Sequence, residues 1–324
     1  MGTVNSIAQI YIDKIKADCE IRRPLVAINC ITYNHERFLR DTLEGFVNQQ
    51  TDFPYVAIVH EDKSTDGTAA ILREYAEKYP DIIKPIFEEE NQYSKPDGSL
   101  GDIMSAAINA TGAKYVAYCE GDDYWTSPNK LQKQVEIMEA NPNCTMCVHK
   151  FKWINIDNTE EDTERGSNHK GEIIPYYLNL ESGAHCATLT FIIKHDILKS
   201  QYYKHITNIR KMAFGDVMIV LAAYHYGTIY NIPEVMACYR RNNGGACQKF
   251  LNNPWQLTRT TIALANRADA LYKETVKKEM VSTHFMNWRI FPYNLMLAGR
   301  IFWFNPKGVL KNHLFCIKRL LKKV

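Results

Sequence analysis

Between residues 22 and 120, short apolar runs alternate with amphipathic stretches. LVAINCI (25–31) is apolar and rich in β-branched residues, which predicts a buried strand. ERFLRDTLEGFVNQQ (36–50) sets Phe38, Leu39, Leu43, Phe46 and Val47 at helical spacing. YVAIVH (55–60) predicts a second strand, and GTAAILREYAEKY (67–79) a second helix that Ser64, Thr65 or Asp66 could cap. IIKPIF (82–87) predicts a third strand, SLGDIMSAAINAT (99–111) a third helix ended by Gly112, and KYVAYCE (114–120) a fourth strand. This alternation predicts an α/β fold with a mostly parallel sheet and helices on both faces. Further along, 128–140 reads as a helix, 144–154 as a strand and 155–171 as a polar surface loop. Residues 185–193 read as a strand, 214–227 as a helix opening at Asp216, and 229–240 as a strand with a turn at Pro233. RNNGGACQ (241–248) reads as a flexible segment, and from about Pro254 the pattern is helical to the end, broken at Pro292 and Pro306. The expected organisation is a helical lead-in over 1–21, an α/β domain over 22–250 and a helical extension over 251–324.

Composition narrows this little: 324 residues, 46% hydrophobic and 23% charged, exclude disordered, collagenous and coiled-coil classes. The net charge of +3 does not suggest a nucleic-acid partner. Its distribution is uneven. Residues 1–279 carry a formal charge of −5, and residues 280–324 hold eight basic residues and no acidic one. The tail mixes those bases with Phe, Trp and Leu, a pattern that suits the surface of an anionic membrane; a helix pair packed on the domain is the alternative. There are nine cysteines, and MGTVNSIAQIYIDKIKAD lacks the apolar core of a secretion signal, so the expected compartment is cytoplasmic with reduced thiols. With the tail, that becomes a peripheral position on the inner face of the cell membrane. Cys144 and Cys147 form a lone C-x-x-C inside a bulky strand-like run, which favours core over metal. No apolar run is long enough to cross a bilayer.

In parallel sheets, ligands sit beyond the carboxyl ends of the strands. Three of the expected strands end in TYN, EDKSTD and EGDD. No G-x-x-x-x-G-K-[ST] occurs, and no G-x-G-x-x-G follows the first strand, which demotes ATPase and dehydrogenase readings. Asp62 ends one strand, and Asp122 and Asp123 end another. Carboxylates brought together repel, and a hard cation such as Mg²⁺ or Mn²⁺ shared with a phosphate would offset that. A solvated turn is the plain alternative for the Asp pair alone.

Taken together, four ordered stretches resemble family 2 glycosyltransferases of the GT-A fold over about Pro24 to Gly245. They are VAINCITYNHERFLRDTLEGFVNQ, VHEDKSTDGT, YVAYCEGDDYWTSPNKLQKQ, and FGDVMIVLAAYHYG followed by YRRNNGG. The resemblance implies a Rossmann-like nucleotide-binding half and transfer of a sugar from a nucleoside diphosphate, usually with inversion and a divalent cation. It implies that Thr32 and Tyr33 pack the nucleobase and that Asp62 accepts a hydrogen bond from a uracil ring. It implies that Asp122 lies near ribose and metal, that Asp123 binds the metal, and that Asp216 is the catalytic base. Glu120 would support the metal or replace the first Asp of a D-x-D. For Asp216 a plain helix N-cap is the alternative. Arg240 and Arg241 would meet the diphosphate or be solvated. Asn91, Gln92 and Tyr93 resemble a donor-side loop, and Gly244 and Gly245 a loop closing over the donor. His185 and Thr188 lie on the acceptor side of relatives, with a core or surface role open for His185. Asn242 stands where relatives often carry a metal-binding His.

The acceptor implied by the resemblance and the tail is a glycan or lipid-linked oligosaccharide in cell-surface polysaccharide synthesis. Asp62 favours a UDP-sugar, although thymine offers the same N–H edge. Two competing readings remain. A nucleotidyltransferase would need a Gly-rich, basic loop after the first strand, where TYNHE stands. A non-catalytic nucleotide-sugar or glycan-binding protein would be supported by Asn242 alone.

Overall fold

The computed structural model describes residues 4–95, 98–157, 159–173, 187–208 and 215–241. The helix α1 (Ser6–Arg22) leads in, capped by Asn5, whose Oδ1 accepts from Ala8 N at 2.8 Å. It buries Ala8, Ile12, Ile15 and Cys19 and packs on α4 and β3, defined next. Then follow β1 (Val26–Thr32), α2 (Leu39–Val47), β2 (Tyr55–Glu61), α3 (Thr68–Lys78), β3 (Ile83–Phe87), α4 (Ser99–Thr111) and β4 (Tyr115–Tyr118). These match the expected alternation closely. Only the helix expected over 36–50 is much shorter, because His35 to Phe38 form a turn in which His35 O accepts from Phe38 N and Leu39 N.

The second half contains β5 (Tyr124–Trp125), α5 (Lys130–Ala140), β6 (Cys144–Asn155), β7 (Glu160–Arg165) and β8 (Gly171–Ile173). A 3-10 turn (Thr188–Thr190), β9 (Ile192–Lys194), α6 (His195–Lys199), α7 (Gln201–Asn208), α8 (Gly215–Tyr226) and β10 (Thr228–Arg241) complete it.

Two expectations are corrected here. The stretch read as a polar loop contains β7, which returns antiparallel on β6 with Phe151 opposite Arg165. An all-polar sequence gives no apolar alternation to read, and backbone pairing holds this strand together with a Lys150–Glu164 ion pair. Of the strand expected over 185–193, residues 187–191 instead enter and leave the 3-10 turn, where Ala187 O accepts from Thr190 N and Thr190 Oγ1.

The sheet order is β3-β2-β1-β4-β9-β6-β10-β5. β1 pairs in parallel with β2 and β4, β2 with β3, and β6 with β10. The antiparallel pairings, β9 with β4 and β6 among them, are shorter. Pro233 falls where β10 slips register against β6, between Ile232 and Val235, so its missing N–H disrupts no regular ladder.

A core cluster lies on one face of the sheet. Val26, Ile28 and Cys30 of β1 meet Leu39, Leu43 and Phe46 of α2 and Leu131 and Val135 of α5, all buried. Phe46 and Trp125 meet edge-on at 5.0 Å between ring centroids. Each such apolar side chain contributes about 1.5–3 kcal/mol on burial. Cys144 and Cys147 are buried free thiols of this core. Strand order reverses between β1 and β4, so the carboxyl ends of β1, β2 and β4 open onto one crevice.

Candidate active site

The loop after β1 and the loop after β2 are tied together by backbone donors. Asn34 N donates to Ser64 Oγ at 3.0 Å, and Thr65 N returns to Asn34 Oδ1 at 2.8 Å. His35 N donates to Thr68 Oγ1 at 2.8 Å and Glu36 N to Asp66 Oδ2 at 3.2 Å. Gly67 N donates to Glu36 Oε2 at 3.0 Å. Asp66 also accepts from Thr68 N at 3.0 Å, so of the three expected capping residues it is the one that bonds into α3. Burial pushes the Asp66 carboxyl up, but these hydrogen bonds outweigh it and hold the group below its ordinary range. Asn34 and Lys63 take left-handed φ of 55° and 63°. Tyr33, between these loops, is 41% exposed at the crevice. Thr32 is fully buried beneath it, its Oγ1 3.3 Å from His35 Nδ1.

Asp62 is also fully buried. Its Oδ1 accepts from Gln92 N at 2.7 Å and its Oδ2 from Tyr93 N at 3.0 Å, and Asn91 Nδ2 donates to its carbonyl at 3.1 Å. Each carboxylate oxygen thus takes one backbone donor from the loop after β3, and a carboxylate keeps further lone pairs for another donor. The loop itself carries Tyr93, which is 67% exposed.

The turn Glu120–Asp123 follows β4. Gly121 lets it press against β1: a Cβ at this position would lie 2.6 Å from Thr32 Oγ1 and 2.9 Å from His35 Nδ1. Thr42 Oγ1 of α2 lies 2.6 Å from Asp123 O and 3.1 Å from Gly121 O. The two aspartates have different partners. Asp122 Oδ2 lies 3.8 Å from His35 Nε2, whereas Asp123 is buried and its Oδ1 accepts from Arg240 N at 2.7 Å. Burial pushes the Asp123 carboxyl up, with repulsion from Asp122 and Glu120 added, and Arg240 offsets only part. Glu120 is pushed up to about 7 by desolvation, by Asp122 and by Asp216. Burial lowers the His35 pKa, against Asp122, which favours its cation.

Asp216 lies in the first turn of α8, and its charge reaches Glu120. The Arg240 side chain is buried. Its guanidinium donates to Asp122 O at 2.6 Å and Asp41 Oδ2 at 2.7 Å, and lies 4.7 Å over Phe38 and 5.1 Å over Tyr124. Arg241 is exposed and lies 3.7 Å over Trp153. Thr188 opens the 3-10 turn. His185, Asn242, Gly244, Gly245 and the basic extension lie outside the described residues.

Among the described residues no three of His, Cys, Asp and Glu form a ready-made metal cage. A small hard cation bound with phosphates needs only one or two carboxylates. Glu120, Asp122 and Asp123 fit that requirement, since their mutual repulsion is what a cation would relieve. Sequence reasoning missed His35, Thr42, Gly121 and the Asp41–Arg240 pair. Gly121 carried a signal, being the small residue inside EGDD.

A largely parallel sheet that gathers acidic residues at its switch point is the GT-A arrangement. The sequence agrees: residues 28–201 match glycosyl transferase family 2, and the chain belongs to that family. It is similar to an uncharacterized protein of Mycobacterium tuberculosis, with 31% identity over 68% of this chain and 60% of the relative. The chain thus spans about 60% of the length of that relative. It also resembles the putative teichuronic acid biosynthesis glycosyltransferase TuaG of Bacillus subtilis, with 32% identity over 43% of this chain and 52% of TuaG. The fold resembles the crystal structure of residues 1–349 of S. aureus TarS in complex with UDP-GlcNAc. The TM-score is 0.57, with 18% identity over 87% of this chain and 74% of that one. No described helix is long and apolar enough to cross a membrane.

Proposed function

We propose that the chain transfers a sugar, with inversion, from a nucleoside diphosphate donor to a hydroxyl of a glycan or lipid-linked oligosaccharide in cell-surface polysaccharide synthesis. UDP-sugars are the favoured donors, supported by the UDP-GlcNAc bound in TarS. The polymer context is supported by TuaG. The observation that carries the reading is the gathering of Glu120, Asp122 and Asp123, with Asp216 close enough to raise Glu120.

Tyr33 offers an exposed ring for the nucleobase, with the Asp62-held loop and Tyr93 beside it. Asp122 presents its carboxylate toward the diphosphate, with Gly121 and His35 setting its position. A divalent cation, Mn²⁺ or Mg²⁺, held by Asp122 with Asp123 or Glu120, would neutralise charge on the leaving nucleoside diphosphate. Asp216 is the proposed catalytic base. It takes the proton of the acceptor hydroxyl as the new bond to the anomeric carbon forms and the bond to the phosphate oxygen breaks. It stands in the first turn of α8. A single displacement of this kind inverts the anomeric centre. The catalytic unit is assigned to 22–250, and the eight-base tail to an anionic membrane surface.

The test is hydrolysis of a panel of nucleotide sugars with Mn²⁺, Mg²⁺ or EDTA, without and with lipid-linked acceptors. Metal-dependent turnover of one donor supports the reading. Donor binding without turnover under every condition would favour a non-catalytic binding protein. Failure to bind any nucleotide sugar would overturn both.

A further inference from the structure

Arg240 is 2% exposed, and its guanidinium is held by Asp122 O, Asp41, Phe38 and Tyr124. Its backbone N–H holds one oxygen of Asp123, one guanidinium nitrogen holds the Asp122 carbonyl, and another holds Asp41 on α2. Phe38 and Tyr124 give its planar cation two aromatic neighbours. Thr42, one residue along α2, reaches the carbonyls of Gly121 and Asp123. The acidic turn is therefore gripped from α2 and from the end of β10. Asp41, with 47% of its side chain exposed, faces a cleft of about 560 Å³ that Glu44, Gln49, Tyr124 and Ser127 also line. Adjacent carboxylates drift apart unless something fixes their backbone, and a fixed pair is what a small cation needs.

We propose that Arg240, fastened by Asp41, is a positioning residue that latches the Glu120–Asp123 turn in its metal-receiving geometry and does not itself touch the donor. The inference rests on the function proposed above. Lysine cannot replace the planar two-armed contact, so Arg240→Lys counts as a disruptive change. Asp41 is half exposed, but its removal takes the carboxylate partner from the buried Arg240 cation, so thermal melts are read beside the other measurements.

The experiment compares wild type, Asp41→Ala, Arg240→Lys and a control, Lys133→Ala, which removes a surface ion pair with Glu234. Mn²⁺ binding is titrated by electron paramagnetic resonance, donor kcat and KM are measured, and amide hydrogen exchange is followed across residues 119–126. Asp41→Ala and Arg240→Lys should weaken Mn²⁺ binding by on the order of tenfold, as loss of a supporting partner does. Both should speed exchange across 119–126, while Lys133→Ala does neither. Wild-type Mn²⁺ affinity and exchange in Asp41→Ala would overturn the latch. So would a loss of thermal stability in both variants with no change at 119–126. If wild type binds no Mn²⁺ and no donor, the functional reading falls, and the exchange data still decide whether the latch exists.

Discussion

Two regions of the crevice handle polar groups in opposite ways. Between β1 and β2, Asn34, Glu36, Ser64, Asp66 and Thr68 exchange hydrogen bonds, and the carboxylate of Asp66 is settled below its ordinary pKa. At the end of β4, Glu120 and Asp123 crowd Asp122, and their carboxyls are raised. The first region resembles a completed structural joint. The second resembles a socket, since Arg240 offsets only part of its repulsion and a bound cation would relieve the rest. A strained acidic cluster beside a satisfied polar lattice separates the part that binds from the part that shapes.

The largest expected effect falls on the socket. Asp216→Asn should lower kcat by on the order of 10²–10⁴-fold, the usual worth of a general base, with donor affinity preserved in equilibrium titration. An unchanged kcat would remove Asp216 from the chemistry. Next comes the seam between the regions. Gly121→Ala sets a methyl 2.6 Å from Thr32 Oγ1, and overpacking of this kind costs about 1–3 kcal/mol. Thermal melts should show that loss, and Mn²⁺ binding should weaken with it. A third substitution probes the joint alone. Asp66→Ala should destabilise by about 1 kcal/mol, the worth of a helix-end acceptor, and should raise donor KM more than it lowers kcat. The reverse split would place Asp66 in the chemistry.

The smallest effect concerns pH. The folded pKa of Glu120, about 7, lies above its ordinary 4.5. Between those values the folded state binds more protons than the unfolded state, so this group lowers stability as pH rises through the window. Differential scanning calorimetry should find a melting temperature that falls across that interval, less steeply in Glu120→Gln, and less steeply in wild type with Mn²⁺. Identical slopes in all three would show that Glu120 feels no crowding.

Much of this was legible in the chain. The boundaries of β1 to β4 follow from apolar runs dense enough to admit one period, and the acids at their ends stand out because nothing apolar masks them. β7 was hidden because EEDTER has no alternation to read. Asp62 was legible as a strand-end acid, but its partners are backbone groups at Gln92 and Tyr93, thirty residues on, and no side-chain pattern announces a backbone donor. Arg240 and Arg241 look alike in sequence. Residue alternation along β10 sends one toward Phe38 and Tyr124 and the other over Trp153.

The bonds from Arg240 to Asp123 and Asp41 span 117 and 199 positions of sequence. Contacts between such distant segments close late in folding, because chain closure must be paid before they form. A nascent chain emerging from the ribosome can lay down β1 to β4 long before β10 exists. Its acidic turn acquires Arg240 only when β10 has been made and docks along β6, so the crevice is armed by a segment translated more than a hundred residues after the turn itself.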